Sequence, residues 1–360
     1  MKIVVFAGGV GTRLWPLSRK STPKQFGKII GNESTLQQTI RRLTAEFKPE
    51  DIFIATGKQY KSVVMKQLPE IPEGNFIFES MMRDVGPAIG LSSFILEKKF
   101  PNEPIAILWS DHMVKNEDAF RHVLRLAEKK IVSKESEFVF IGQKPRFPNQ
   151  NCGWIQLGDE NESSNGASVY NFKRLCYRPK AEEAEAFFKD RNYVWNLGYF
   201  VTTPKYLTSL FKTYAPEMFE SLLKIQNDYG KDKYEKTLEG IYPTLEKISF
   251  DDAILVKLPQ DNLKVIATDL GWSDVGAWDA LKEALETNKE ENITRGNIEL
   301  KDTTDVLMFN YEQKLCIGID LSEMVIINTE DVLLVCPKGS IPKIKKFVEN
   351  LTGTDHEHLI

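Results

Sequence analysis

A glycine-rich turn and two cations follow the first apolar segment of the chain, and this combination suits a ligand that carries phosphate. Glycines let the backbone approach a ligand closely and direct its N–H groups toward phosphate oxygens. Arginine contacts phosphate with a planar fork, and lysine does so as a mobile point charge. The spacing matches neither a G-x-G-x-x-G fingerprint nor a P-loop, because no Gly-Lys-Ser/Thr follows. The residues concerned are Gly8, Gly9, Gly11, Thr12, Arg13 and Lys24.

Two aspartates elsewhere in the chain are candidate ligands of a cation, and the first of them comes just after an apolar segment. Asp111 follows the short run 104–109, and Asp274 lies within Gly271-Trp272-Ser273-Asp274-Val275-Gly276-Ala277-Trp278. A carboxylate in such a place can hold Mg²⁺ against substrate phosphates. It can equally cap the helix that follows, so the residues alone leave both roles open.

The motifs resemble those of a known enzyme family. Gly8 through Pro16, with the later Pro23-Lys24-Gln25-Phe26, resembles the signature of the sugar-nucleotide pyrophosphorylases. The fuller string, including Leu17-Ser18-Arg19, resembles the bacterial mannose-1-phosphate guanylyltransferases in particular. The resemblance implies an enzyme that forms GDP-mannose and pyrophosphate from GTP and mannose 1-phosphate. It implies Arg13, Lys24 and Asp111 as catalytic residues, and Asp111 and Asp274 as ligands of Mg²⁺.

The nucleotide side of the resemblance includes a segment for base recognition. Glu79 and the string from Arg83 through Gly86 to Ile89 resemble that segment, although Val85-Gly86 replaces the usual Thr-Ala. Guanine presents N1–H and an exocyclic amine side by side, and one carboxylate can accept both hydrogen bonds. We therefore expect Glu79, Arg83 and Gly86 to bind the nucleotide together with the glycine-rich turn.

The sugar side departs further from the family pattern. The resemblance implies Arg178, Asn196 and Lys257 as contacts of the sugar phosphate. Tyr177 and Val256 stand where the family has glutamates, and Leu197 stands where it has serine. Losing these polar groups weakens the discrimination between epimers, since hydrogen-bonding sites reject analogues strongly. The identity of the sugar therefore stays open.

Composition places the chain among globular proteins of ordinary charge. It has 360 residues, is 42% hydrophobic and carries a formal net charge of −4, which argues against a general nucleic-acid binder. The four cysteines form no C-x-x-C pair, so neither a zinc site nor a disulfide framework is expected. An apolar segment begins at residue 2 and no run reaches a membrane span, so we expect a cytoplasmic protein that binds no membrane.

Strands alternate with helices along the first half of the chain, which predicts a mostly parallel sheet covered on both faces. Ligands bind at the carboxyl ends of such strands, where the glycine-rich turn and Asp111 fall. We expect a Rossmann-like α/β nucleotidyltransferase domain over residues 1–287. The polar segment 159–167 is interpreted as a surface loop.

A polar stretch at 286–292 indicates a domain boundary. The five short apolar runs beyond it favour a small β domain or a few coils of a β-helix over residues 288–360, closed by a helix at 341–351. The family resemblance implies a short left-handed β-helix that helps form a homodimer.

Three other functions compete with this interpretation. The first is the same chemistry on another sugar 1-phosphate. The second is a catalytically silent relative that binds sugar nucleotide and regulates a partner, which the retained cations and aspartates argue against. The third is an NAD-dependent enzyme, disfavoured because no acidic ribose ligand follows the glycine-rich turn at the right distance.

Overall fold

The strands and helices follow the hydrophobic pattern of the sequence. The computed structural model describes residues 1–9, 11–20 and 22–360, apart from the side chain of Thr12. The strands are β1 Lys2–Phe6, β2 Ile52–Gly57, β3 Phe76–Glu79, β4 Ile105–Trp109, β5 Met113–Val114, β6 Phe138–Gln143, β7 Gly153–Ser164, β8 Ala167–Cys176, β9 Tyr193–Thr202, β10 Leu263–Thr268, β11 Trp272–Ser273, β12 Ile293–Arg295, β13 Ile298–Lys301, β14 Leu307–Asn310, β15 Cys316–Ile319, β16 Met324–Asn328 and β17 Leu333–Pro337. The helices are α1 Thr35–Thr44, α2 Lys61–Gln67, α3 Val85–Lys99, α4 Glu117–Val132, α5 Ala181–Lys189, α6 Pro204–Tyr214, α7 Pro216–Asp228, α8 Tyr234–Ile241, α9 Phe250–Ala253, α10 Trp278–Leu285 and α11 Ile341–Glu349.

The first of two packing units contains residues 1–8, 41–110 and 115–270. Its centre is a nine-stranded sheet in the order β3-β2-β1-β4-β9-β6-β10-β8-β7. The strands β3, β2, β1 and β4 run parallel, with Val4 opposite Phe53 on one side and Ile107 on the other. Most residues of these strands are buried, as expected for parallel strands covered on both faces.

The other half of this sheet is largely antiparallel, so the sheet is mixed rather than mostly parallel. Strand β9 runs antiparallel to both β4 and β6, and β7 pairs with β8 in a long hairpin. Asn165 and Gly166 form the two-residue turn of the hairpin, with φ of 50° and 79°. Such a turn joins antiparallel strands directly, and Asn-Gly is its preferred sequence. The surface loop predicted at 159–167 is therefore wrong.

Helix α3 supplies much of the core of this unit. Its residues from Gly86 to Leu96 are buried, and it packs against α6 and α7. Phe94 makes edge contacts with the rings of Phe211 and Phe219 there. The first turn of α3 carries the predicted base-recognition segment, so the core fixes where that segment lies.

The second unit contains residues 9–40, 111–114 and 271–360. Strands β5 and β11 pair antiparallel, β12, β14, β16 and β17 form a four-stranded sheet, and β13 pairs with β15. The core includes the fully buried Trp278, whose indole N–H donates to the carbonyl of Trp15 at 3.0 Å. The short strands and final helix predicted beyond residue 288 are present within one or two residues of their predicted ends, and residues 288–360 pack in one unit with 9–40, 111–114 and 271–287.

Two further observations concern disulfide bonds and membrane-spanning helices. All four cysteines are free thiols, so no disulfide framework is present. Among the described residues, no helix is both long enough and apolar enough to cross a membrane.

Candidate active site

The glycine-rich turn begins where β1 ends. Gly9 and Gly11 have φ of 90° and 65°, a region that favours glycine over residues with a side chain. The amide of Gln25 donates to the Gly9 carbonyl at 3.2 Å, and the Ser18 hydroxyl donates to the Gly11 carbonyl at 2.5 Å. The carbonyls of Gly9 and Gly11 are therefore engaged by side chains that come later in the chain. Val10 and the side chain of Thr12 lie outside the described residues. The predicted role of Thr12 in binding the nucleotide therefore also lies outside what the structure describes.

Lys24 lies directly against this turn. A Cβ added at Gly11 would be 2.7 Å from Cγ of Lys24, so glycine is needed for the close approach. The Lys24 ammonium forms an ion pair with Oδ2 of Asp111 at 2.7 Å. Lys24 and Asp111, two of the predicted catalytic residues, are therefore in direct contact.

The carboxylate of Asp111 is held in its charged form. Burial of this group opposes ionisation, but the Lys24 ammonium and the neighbouring His112 ring keep the pKa of Asp111 below its usual range. The alternative role as a helix cap does not apply, because Asn116 caps α4 by accepting from the backbone N–H of Ala119.

The pairing of β5 with β11 brings the segments of the two aspartates together. Met113 lies opposite Ser273 and Val114 opposite Trp272. Continuing this antiparallel register by one residue places Asp274 opposite His112, next to Asp111. The two carboxylates, distant in sequence, are therefore carried on adjacent segments of the second unit.

Asp274 sits in a constrained turn and does not cap α10. Its Oδ1 accepts the backbone N–H of Gly276 at 3.2 Å, while the N-cap position of α10 is Ala277, which makes no side-chain capping bond. Val275, between them, has φ of 39°, which is strained for a β-branched residue. Observed backbone strain of this kind clusters at functional sites.

Arg13 reaches the same turn. A Cβ added at Gly276 would lie 3.2 Å from a terminal nitrogen of Arg13 and 3.4 Å from Oδ2 of Asp274. The missing side chain of Gly276 therefore leaves room for a guanidinium and a carboxylate. Arg13, Lys24, Asp111 and Asp274 all belong to the second unit.

The predicted base-recognition residues lie in the first unit. Glu79 ends β3, is only 8% exposed and accepts the hydroxyl of the fully buried Tyr242 at 2.6 Å. Burial raises the pKa of Glu79 to about 7, although the hydrogen bond from Tyr242 lowers it. The carboxyl group therefore keeps its proton to a higher pH than an exposed glutamate does.

Gly86 lies in close contact with a distant backbone segment. Its N–H donates to the carbonyl of Ile248 at 3.0 Å, and an added Cβ would be 2.7 Å from that oxygen. Asp84 begins α3 by accepting the N–H of Val85 at 2.8 Å. The side chain of Arg83 is half-buried beside these residues.

The predicted sugar-side residues divide into two places within the first unit. Asn196 is 8% exposed, and Arg178 lies near it with its guanidinium 5.0 Å from the centre of the Tyr177 ring. Lys257 instead approaches the carbonyl of Tyr214 at 3.5 Å and lines a cavity of about 340 Å³. Neither Arg178 nor Asn196 lines that cavity.

The chain is similar to a known protein family. The family model described as nucleotidyl transferase matches residues 2–291. The chain belongs to the nucleotidyl transferase family. That match ends close to the predicted boundary at residue 287, and members of the family generally use a divalent metal.

Individual members of the nucleotidyl transferase family resemble the chain along nearly its whole length. It is 31% identical to a mannose-1-phosphate guanylyltransferase of Escherichia coli, over 97% of this chain and 75% of that protein. An enzyme of the same name from Klebsiella pneumoniae is also 31% identical, over 97% and 73%. The crystal structure of a mannose-1-phosphate geranyltransferase from Thermus thermophilus has a TM-score of 0.85 and 27% identity, covering 97% of this chain and 98% of that one. The resemblance to this family is confirmed, and the fold is the mixed α/β nucleotidyltransferase fold.

The sequence analysis missed two residues of this nucleotidyltransferase that contact predicted ones. Tyr242 binds Glu79, and no sequence pattern links residues so far apart. Asp251 accepts the amide of Asn196 at 3.2 Å. A signal existed for Asp251, because Ser249-x-x-Asp252 is a capping pattern that accounts for Asp252 and leaves Asp251 unexplained.

Proposed function

We propose that the protein is a guanylyltransferase that joins GTP to mannose 1-phosphate, forming GDP-mannose and releasing pyrophosphate. The observation that carries this proposal is the ion pair of Lys24 with an ionised Asp111 against the glycine-rich turn, in a chain of this family. Relatives that share about three tenths of its residues are named for this activity.

The chain supplies positioning and charge for this reaction. An oxygen of the sugar phosphate attacks the α-phosphorus of GTP in line, and pyrophosphate leaves. The sugar phosphate is already a nucleophile, so no side chain has to become one. Arg13 and Lys24 supply positive charge where the leaving pyrophosphate gains negative charge. Gly8, Gly9, Gly11 and Thr12 bind the phosphates of the nucleotide.

Asp111 and Asp274 would hold Mg²⁺. The donor set fits, because Mg²⁺ prefers oxygen ligands and usually takes one or two carboxylates, with water and substrate phosphates completing the shell. The ionised state of Asp111 and the adjacent segments of β5 and β11 support this assignment. Among the described residues, no group of three or more His, Cys, Asp or Glu side chains is placed to hold a metal ion without other ligands. When bound, the ion neutralises the charge of the two phosphate-bearing substrates.

The base and the sugar are bound by residues of the first unit. Glu79 selects guanine, and Arg83 and Gly86 help to hold the nucleotide. Arg178, Asn196 and Lys257 bind the sugar phosphate. A different sugar 1-phosphate is the second candidate, favoured by the buried Leu197 and the apolar, exposed Val256 at positions where the family carries polar groups.

We also propose a cytoplasmic homodimer that assembles through residues 288–360 as a short left-handed β-helix. Two of the three parallel strand pairs there have an offset of 18 residues, as Leu307 with Val325 and Ile298 with Cys316 do, whereas β12 pairs with β14 at an offset of 14 and β17 pairs antiparallel with β16. Apolar side chains on β15 and β17 are exposed, among them Ile317 and Leu333. Sedimentation equilibrium of the intact chain tests the dimer, and a monomer at all concentrations would contradict it.

Asp111→Asn tests the function at its central residue. Asparagine keeps the shape of the side chain but removes the charge that pairs with Lys24, so we expect pyrophosphate release to fall by about a hundredfold or more. Asp118→Asn is the matched control, since Asp118 is 94% exposed on α4. Pyrophosphate release from GTP and mannose 1-phosphate is measured for both variants with Mg²⁺. Equal activity of the Asp111 variant and the wild type would refute the proposed role.

A further inference from the structure

A short segment at residues 248–252 contacts several of the predicted substrate-binding segments of the first unit. The carbonyl of Ile248 accepts the N–H of Gly86. Three residues later, Asp251 accepts the amide of Asn196 at 3.2 Å. Tyr177 lies near the same segment, since, besides burial, Asp251 and Asp252 contribute to raising the pKa of its hydroxyl. The segment therefore connects the base-recognition and sugar-side residues. It includes the start of the string from Ser249 to Lys257 that resembles a family segment, in which the resemblance assigned no role to Asp251.

Within this segment the two adjacent aspartates make different contacts. Asp252 is exposed, and its carboxylate accepts the Ser249 hydroxyl at 2.6 Å. Its backbone N–H donates to that same hydroxyl at 3.0 Å, which caps α9. Asp252 is thus accounted for by the start of the helix. Asp251 is half-buried and makes its side-chain hydrogen bond to Asn196 instead.

The amide of Asn196 is fixed at both of its polar atoms. Its Oδ1 accepts the backbone N–H of Gly198 at 3.1 Å, which leaves Nδ2 to donate to Asp251. An amide nitrogen carries two hydrogens, so one remains for another acceptor. Asp251 uses one carboxyl oxygen for Asn196 and retains further acceptor capacity.

Together these two groups match the chemistry of a hydroxyl. A sugar hydroxyl both donates and accepts, and an amide N–H beside a carboxylate oxygen offers one partner of each kind. Trp109 borders the place, since its indole nitrogen would be 2.4 Å from a Cβ added at Gly198. Trp109 is partly exposed, and aromatic side chains commonly line small-molecule sites together with a few polar groups that fix the ligand's orientation.

We propose that Asp251 is a specificity-determining residue that, paired with Asn196, binds one hydroxyl of the sugar 1-phosphate. This inference rests on the proposed function and adds to it a residue that the family resemblance did not supply. Asp251 and Asn196 would then discriminate between sugars, although this chain lacks the polar groups that the family carries at the positions of Tyr177, Leu197 and Val256.

The ionisation of Asp251 gives the pair a dependence on pH. The pKa of Asp251 is raised to about 6, mainly by burial; its own backbone hydrogen bond, Arg178 and the Asn196 hydrogen bond act to lower the pKa, and the Asp252 carboxylate acts to raise it. The side chain of Tyr177 also faces this group. Asp251 is thus a carboxylate acceptor above about pH 6 and loses that character below it.

The experiment compares Asp251→Asn with Asp252→Asn in the full-length enzyme. For the Asp251 variant we expect the KM for the sugar 1-phosphate to rise about tenfold, with the KM for GTP unchanged. The Asp252 variant keeps both KM values, because its carboxylate only supports the start of α9. The increase for the Asp251 variant is larger at about pH 8 than at about pH 5, since the wild-type group is neutral at the lower pH.

Deoxy analogues of the sugar 1-phosphate separate recognition from mere folding. The increase in KM disappears for the analogue that lacks the hydroxyl bound by the pair. An equal increase with every analogue, a parallel rise in the KM for GTP, or identical behaviour of the two variants would overturn the inference.

A binding measurement compares the wild type and the two variants even when no turnover occurs. If the wild type releases no pyrophosphate with any sugar 1-phosphate, the proposed function is refuted, and this result does not depend on the role of Asp251. Calorimetric affinity of the three proteins for GDP-mannose then tests Asp251 separately, and equal affinities would refute its role.

Discussion

The chemistry of single residues in this protein depends on what burial does to their charge. Asp111 stays ionised because Lys24 lies 2.7 Å away, whereas the buried Glu79 accepts a hydrogen bond from the uncharged hydroxyl of Tyr242. A neutral donor lowers the pKa of a carboxyl less than an ammonium does, so burial prevails and the pKa of Glu79 rises to about 7. One carboxyl is therefore suited to cations, and the other changes charge near neutral pH.

Glu79→Gln should reveal the cost of ionising this buried group. The folded-state pKa lies above the unfolded value of 4.5, so the folded protein keeps a proton that the unfolded chain loses between these values. Stability of the wild type therefore falls as pH rises through this window, by roughly 3 kcal/mol relative to a side chain that does not titrate. We expect the variant to gain stability relative to the wild type from about pH 5 to pH 8, measured by urea unfolding.

A matched control for Glu79→Gln is Glu73→Gln, because Glu73 is exposed in the turn before β3. That variant should change stability by less than about 0.5 kcal/mol at either pH. A stability difference for Glu79→Gln that is the same at both pH values would contradict the raised pKa.

At the scale of elements, sequence reasoning succeeded where a pattern is local. The parallel strands β1 to β4, and helices α3 and α4, follow from runs of apolar residues. The antiparallel half of the sheet was missed because β7 continues through the polar segment 159–164, which is exposed for most of its length and shows no core-facing alternation. The turn signal at Asn165-Gly166 was present in the sequence and is what corrects the prediction.

The residues of the candidate site also differ in whether a local sequence pattern predicts them. Arg13, Lys24, Asp111 and Asp274 belong to motifs with fixed spacing, so their segments were predictable. Tyr242 and Asp251 have no such spacing, since each contacts a partner 163 or 55 residues away in the chain. Only tertiary structure brings such pairs together.

Gly86→Ala tests the contact between the start of α3 and the segment at 248–252. The added Cβ would lie 2.7 Å from the Ile248 carbonyl oxygen, a backbone atom that cannot rotate away. We expect a loss of about 1–3 kcal/mol of stability by thermal unfolding, together with a higher KM for GTP.

The control for this change is Gly240→Ala. Gly240 lies within α8, and a Cβ there would meet nothing within 4 Å. Alanine is the better helix former, so this variant should be as stable as the wild type or more so. Equal stability of Gly86→Ala and Gly240→Ala would show that the contact with Ile248 is unimportant.

At the scale of the whole molecule, the candidate residues belong to two packing units. Gly9, Gly11, Arg13, Lys24 and the two metal-binding candidates lie in the second unit, whereas Gly8 and the base and sugar-phosphate candidates lie in the first. The family model, from residue 2 to 291, spans nearly all of the first unit and the parts of the second unit at 9–40, 111–114 and 271–291. Membership of the family therefore supports the chemistry more firmly than the choice of sugar, which depends on residues where this chain departs from the family pattern.

The most direct test of the central claim is pyrophosphate release with Mg²⁺ from each of GTP, ATP, UTP and dTTP against several hexose 1-phosphates. The account predicts turnover with GTP and mannose 1-phosphate, and little with the other nucleotides, because Glu79 accepts the paired donors that only guanine presents. Turnover with GTP and a different sugar would keep the chemistry and assign the specificity to the sugar-side substitutions. A preference for another nucleotide, or no turnover from folded protein that still binds GTP, would contradict the account.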